Sequence, residues 1–270
     1  MNRQIVWITG GGTGIGRALA EALYREGHWV VISGRRKEVL TKTAQEITGL
    51  PSPHPSPRGR GSESEGPGDL WSIPGDASDG TYVAEILRSV RERWGDIDLL
   101  INNAGENLYR SFQESAPEEF EQNFRVNCMS AIRCTQAVLP AMLARRAGTI
   151  VNVSSILGKW ASPDSAAYSV SKYALTGFTD SLRQELTGTG VHVLGVYPGL
   201  ILTPMTEPFL SPGSRRWRFG KSPESMAAAI LKGVRRRKRD VMYPWYVPWV
   251  LQWHNAFPGV METLRKLFRR

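Results

Sequence analysis

Short apolar runs alternate with amphipathic stretches along most of the chain. Ile5-Val6-Trp7-Ile8 is the first run, and it leads into Thr9-Gly10-Gly11-Gly12-Thr13-Gly14-Ile15-Gly16. Residues 17–26 then carry Ala18, Leu19, Ala22 and Leu23 at the spacing of one helix face. Gly27 suits the left-handed position after a helix, and residues 29–33 form a second apolar run. Farther along, the same reading predicts helices over 37–48, 79–94, 117–145, 165–186 and 223–232. It predicts strands over 70–73, 97–102, 149–154 and 191–197, with a last one at 241–243. Runs that are apolar on both faces, each followed by a helix, specify an α/β fold: one doubly wound parallel sheet with helices on both faces.

Residues 50–69 break the pattern. Prolines alternate there with Ser, Gly and charged residues, so little apolar surface is available to bury. The segment reads as a disordered surface insertion in a single domain spanning 1–243. Residues 244–270 follow as a basic and aromatic tail.

Composition narrows the class. A chain of 270 residues can bury a full core. Cys128 and Cys134 have no partners at metal-ligand spacing, and His28, His54, His192 and His254 are scattered. No metal site and no disulfide framework are expected, which favours a reducing compartment. No charged segment precedes an apolar secretory core at the N-terminal end, and no run reaches the ~18 apolar residues of a membrane span. A cytoplasmic protein is expected, with membrane association at most peripheral. Charge is uneven: residues 214–270 hold 14 Lys/Arg and 3 Asp/Glu, a net +11 against +9 for the whole chain. The basic character therefore belongs to the C-terminal part, and no nucleic-acid reader motif accompanies it.

The glycine turn is the first chemical signal. Gly10 and Gly14 let backbone approach a pyrophosphate, Gly16 lets the helix pack on the strand, and the helix start, Thr13-Gly14-Ile15, offers unpaired N–H groups and positive dipole. This Rossmann-type arrangement implies a dinucleotide. The second strand ends in Ser33-Gly34-Arg35-Arg36, without the acid that binds an NAD ribose. Arg35 and Arg36 can pair with a 2′-phosphate, so NADP(H) is the expected cofactor.

Tyr168 and Lys172 stand four apart near the start of a predicted helix and share a face. A free phenol is too weak an acid to lose its proton easily at neutral pH, and a neighbouring ammonium would lower its pKa. Alone the pair would be a chance helix surface. Ser155 supports it, directly after the strand at 149–154, where a hydroxyl can polarise a substrate oxygen.

With these residues in order, the sequence resembles the short-chain dehydrogenase/reductase family, from about Gln4 to Thr203. The matching motifs are Thr9-Gly10-x-x-x-Gly14-x-Gly16, Asn102-Asn103-Ala104-Gly105, Asn127, Ser155, Tyr168, Lys172, and Pro198-Gly199 with Thr203. The resemblance implies roles. Tyr168 would be the acid in reduction and the base in oxidation, and Ser155 would orient the substrate oxygen. Lys172 would hold the nicotinamide ribose and lower the tyrosine pKa. Asn127 would help hold a water linking Lys172 to solvent. Asp76 and Ala77 would contact the adenine. Asn103, Ala104 and Gly105 would line the cofactor, and Pro198, Gly199 and Thr203 would contact its nicotinamide side. Members are commonly dimers or tetramers, so a homo-oligomer is expected.

Beyond Thr203, residues 205–218 are expected to form a lid-like segment. The run Arg235-Arg236-Arg237-Lys238-Arg239 and the aromatic stretch Tyr243-Pro244-Trp245-Tyr246-Val247-Pro248-Trp249-Val250-Leu251-Gln252-Trp253 read together as an interfacial anchor for an anionic membrane. That favours a lipophilic carbonyl or alcohol substrate, such as a sterol, retinoid or long-chain ketone. The alternatives are packing on the protein's own core, a reductase of carrier-bound 3-oxoacyl chains, and a non-catalytic NADP(H)-binding interaction protein.

Overall fold

The computed structural model describes residues 3–49, 68–210 and 218–260. Most of the expected insertion, part of the expected lid and the last ten residues lie outside them. Seven strands form one parallel sheet: β1 (Ile5–Thr9), β2 (Trp29–Gly34), β3 (Asp69–Pro74), β4 (Leu99–Asn102), β5 (Gly148–Val153), β6 (Val191–Pro198) and β7 (Asp240–Tyr243). Their spatial order is β3-β2-β1-β4-β5-β6-β7. Strand order reverses between β1 and β4, and a crevice opens there beyond the C-terminal ends of the strands.

Alternation along β1 shows how the two layers are built. Val6 and Ile8 face α1 (Gly14–Arg25), α2 (Lys37–Thr48) and α7 (Pro223–Arg235), in a core with Leu19, Leu40 and Ile230. Ile5 and Trp7 face the other way, towards α3 (Gly80–Arg93), α5 (Ser130–Ala144) and α6 (Ala166–Glu185), in a core with Ile86, Val138 and Leu182. The Trp7 indole N–H, which would be costly to bury alone, donates to Ser33 Oγ at 2.9 Å. Each large side chain removed from water in this way contributes about 1.5–3 kcal/mol, which is what holds short strands in a stable sheet.

Two predicted elements differ in detail. The helix expected over 117–145 is α4 (Pro117–Phe124), a π turn at Arg125–Met129, and then α5. One extra residue in the helical path leaves the apolar spacing almost unaltered, so periodicity does not reveal it. The tail contains α8 (Val247–Ala256). Moreover, the arginine run and the aromatic stretch do not form one surface. Residues 235–239 precede β7 and lie at the N-terminal edge of the sheet, where Arg235 pairs with Glu26 and Arg239 with Asp180. Trp245 and α8 follow β7 and lie at the C-terminal edge, on the side of the crevice. Among the described residues no helix is long and apolar enough to cross a membrane.

Candidate active site

The strand-turn-helix unit at β1 and α1 forms one wall of the crevice. Gly10 adopts φ +67°, and a Cβ there would come within 2.9 Å of Ala104 Cα. Gly14 adopts φ +54°, with Thr203 3.0 Å from where its Cβ would be. Gly16 does not line the crevice. A Cβ on it would strike the Gly10 carbonyl, so it sets how closely α1 packs beneath the turn. Asn103 closes the unit from β4: its Nδ2 donates to the carbonyls of Thr9 and Gly10, each at 3.1 Å. Thr9 Oγ1 accepts from the backbone N–H groups of Asn103 and Ala104, each at 3.0 Å. The first turn of α1 has no acidic residue and no side-chain cap, so its N–H groups face the crevice unopposed. A cradle of glycines beside an uncapped helix start fits a pyrophosphate.

At the far end of the crevice, β2 delivers Arg35 and Arg36 and β3 delivers Asp76 and Ala77. Arg36 occupies the N-cap position of α2. Arg35 is not free in solvent: its guanidinium pairs with Glu106 at 2.9 Å. Burial acts to raise the Asp76 carboxyl pKa. Hydrogen bonds from Ser78, aided by Arg35 and Arg125, outweigh it and hold the group below its ordinary value. Asp76 is thus an ionised acceptor beside the two arginines.

Ser155, Tyr168 and Lys172 line the other end with Gly105, whereas Asn103, Ala104 and Thr203 stand against the glycine turn, and Pro198 and Gly199 line the crevice as well. Ser155 follows β5 and accepts from the Leu157 N–H at 3.1 Å. Lys172 is buried and donates to the Val153 carbonyl at 2.9 Å, with its Nζ 5.6 Å from the centre of the Tyr168 ring. One expectation is corrected here. Burial pushes the Tyr168 phenol up to about 12, and a hydrogen bond with Ser155 offsets this only in part. Burial also pushes Lys172 down, to about 8. An ammonium held on a carbonyl, and itself desolvated, does not outweigh the loss of water around the phenol.

Asn127 is fully buried behind the crevice wall, in the π turn. Its amide clamps the backbone of Glu106, with Oδ1 accepting from the N–H at 2.8 Å and Nδ2 donating to the carbonyl at 2.9 Å. Nδ2 also donates to Ser171 Oγ at 2.8 Å, and Ser171 in turn donates to the Tyr168 carbonyl at 2.7 Å. Gly105 packs between: a Cβ there would lie 3.0 Å from Asn127 Oδ1 and 3.5 Å from Lys172 Nζ. Glu106 and Ser171 had no signal in the sequence, because their importance rests on contacts with residues far from them in the chain. Ile201, Pro204, Met205 and Thr206 also line the crevice. The expected lid therefore begins at its rim, and residues 211–217 of that segment lie outside the described ones.

Comparison with known proteins agrees with this geometry. The family model described as short chain dehydrogenase matches residues 4–212. A protein of Anopheles gambiae named dehydrogenase/reductase SDR family protein 7-like is 33% identical over 98% of this chain and 83% of its own length. An actinorhodin polyketide ketoreductase variant solved with NADPH is 26% identical, with a TM-score of 0.77 over 91% of this chain and 97% of its own. A short chain dehydrogenase/reductase from Burkholderia phymatum solved with NAD is 20% identical, with a TM-score of 0.81 over 96% and 95%, a likeness of fold. Fold, crevice and relatives converge: the chain belongs to the short-chain dehydrogenase/reductase family of oxidoreductases.

Proposed function

We propose that the protein is an NADP(H)-dependent oxidoreductase that interconverts a carbonyl and an alcohol on a lipophilic substrate. The observation that carries this reading is the crevice itself, with a glycine cradle and two arginines at one end and Tyr168, Ser155 and Lys172 at the other. When bound, the dinucleotide supplies or accepts the hydride. The chain's own residues do the rest. Tyr168 gives its phenolic proton to the substrate oxygen in reduction and takes it back in oxidation. The Ser155 hydroxyl orients that oxygen and steadies developing negative charge on it. Lys172 holds the nicotinamide ribose and sits beside Tyr168, where its charge favours the phenolate as the proton leaves. Asn127 acts as a positioning residue, since its amide fixes the backbone of Glu106, in the loop after β4, and, through Ser171, the Tyr168 turn.

Preference for NADP(H) is supported by Arg35 and Arg36 lining the adenosine end and by the absence of an acid at the end of β2. The relatives solved with NADPH and with NAD leave both cofactors open to the family, so the argument rests on these two arginines. A lipophilic substrate is supported by the apolar rim at Ile201 and Met205.

The test is NADPH consumption across a panel of sterol, retinoid and long-chain ketones. Tyr168→Phe should lower turnover by about 10²–10⁴ while NADPH still binds. Full activity in that variant would overturn the mechanism. Arg35→Ala combined with Arg36→Ala should weaken NADPH by roughly 30-fold or more and leave NADH almost unaffected, as expected for lost charge-assisted bonds to phosphate. Equal losses for the two cofactors would reject the assignment.

A further inference from the structure

The 21 residues from 241 to 261 contain no Asp, Glu, Lys or Arg. Among them Trp245, Trp249, Trp253 and Phe257 recur every four residues, a spacing that sets them along one side of α8 and its flanks. They are 75%, 60%, 58% and 50% exposed. The opposite side of α8 is buried through Val247 and Leu251. Val247 sits so close to Gly199 that a Cβ there would come within 2.9 Å of its methyl group. A ridge of exposed indoles roughly 12 Å long from Trp245 to Trp253 is therefore carried on a segment that packs against Gly199, a residue of the crevice lining. Phe219 extends it, half exposed and edge-on to Tyr246 at 6.5 Å.

We propose that this aromatic ridge docks the protein on the surface of an anionic phospholipid bilayer, with the mouth of the crevice beside the lipid. Indole is suited to the headgroup level, where its ring is half-desolvated and its N–H still finds a polar partner. The charge beside the ridge selects the lipid. Arg218 and Lys221 stand on either side of Phe219 along the chain, with no acid between them and none from 241 to 261. Anionic headgroups complement these cations, whereas a second copy of the chain would bring like charges together. A helix of ten residues is half the length that spans a bilayer, so the contact is monotopic. The arginine run at 235–239 takes no part, because it lies at the other edge of the sheet. Lipid docking stands by itself, while delivery of a lipophilic substrate from that lipid rests on the function proposed above.

The experiment uses the full chain and vesicles of phosphatidylcholine, with and without phosphatidylglycerol, containing brominated acyl chains that quench nearby tryptophan. Quenching and co-sedimentation are expected with the anionic vesicles, weaker binding with the neutral ones, and partial release by salt. The triple variant Trp245→Ser, Trp249→Ser, Trp253→Ser should bind at least about tenfold more weakly. Trp249→Glu, a single exposed change, should also detach the protein. Both variants should still turn over a water-soluble ketone at the wild-type rate. Absence of turnover in every protein, with lipid binding intact, would defeat the oxidoreductase reading and leave the docking surface standing. Vesicle binding that is absent, or unchanged in the triple variant, overturns the proposal. An oligomer that dissociates on the tryptophan changes without any lipid binding identifies a self-association face instead, and also overturns it.

Discussion

Burial shifts both Lys172 and Tyr168 towards their neutral forms, and this has measurable consequences. The folded protein binds the Lys172 proton less tightly than the unfolded chain, with its pKa at about 8 against an ordinary value of 10.5. Between those two values the unfolded chain carries more protons, so this group's contribution to stability increases as pH rises through that window. Below it the buried ammonium is a net cost. Lys172→Met should therefore raise Tm by a few degrees at neutral pH and abolish turnover, with the Tm gap narrowing as pH approaches 10. A gap that does not depend on pH would refute the account. Tyr168 acts in the opposite sense and farther up the scale, since its folded pKa is about 12. Its phenol keeps its proton throughout the neutral range, so carbonyl reduction should not be limited by Tyr168 there. Alcohol oxidation should accelerate with pH, which paired pH–rate profiles in the two directions would reveal. Glu106 offers a third test. Its carboxylate holds Arg35 and would compete with a 2′-phosphate, so Glu106→Gln should tighten NADPH by up to about fivefold and leave NADH unchanged in equilibrium titrations. The sequence suggested Arg35 as a phosphate ligand but not its partner, 71 residues away, because no local pattern records a pairing made by strand order.

Among the elements, the unit from β1 to α1 was the most legible, because glycine is required there for steric reasons that operate within a few residues. Gly16→Ala tests that directly. The added methyl would meet the Gly10 carbonyl, forcing α1 away from the turn, and should cost about 1–3 kcal/mol of stability and weaken dinucleotide binding. Chemical denaturation and cofactor titration would measure the two losses. The helix over 117–145 was legible in extent but not in form. Its π turn brings Asn127 into reach of both Glu106 and Ser171, yet the apolar period passes through the turn with only a small phase change. Family resemblance could point to Asn127, whereas the clamp it makes required the fold. The tail was legible in composition alone. A four-residue strand separates its cations from its indoles, and only the direction of β7 determines which of them faces the crevice.

At the scale of the whole molecule, the parallel sheet sorts features by the end of a strand at which they fall. Residues that follow strands meet in the crevice, among them Gly10, Arg35, Asp76, Asn103, Ser155 and Gly199. Gly49 and Gly68, which flank the segment 50–67, lie at the N-terminal edge, where Gly68 N–H donates to the Tyr24 carbonyl at 2.9 Å. Replacing residues 50–67 with a short Gly/Ser linker should therefore leave NADPH affinity and turnover unchanged, since shortening the connection between Gly49 and Gly68 alters loop closure only slightly. A large loss of either in steady-state assays would mean that the segment reaches the chemistry. The same geometry has a practical corollary. A dye, an affinity handle or a solid support coupled between Gly49 and Gly68 would grip the catalyst from behind, leaving both its open mouth and its aromatic rim facing outward.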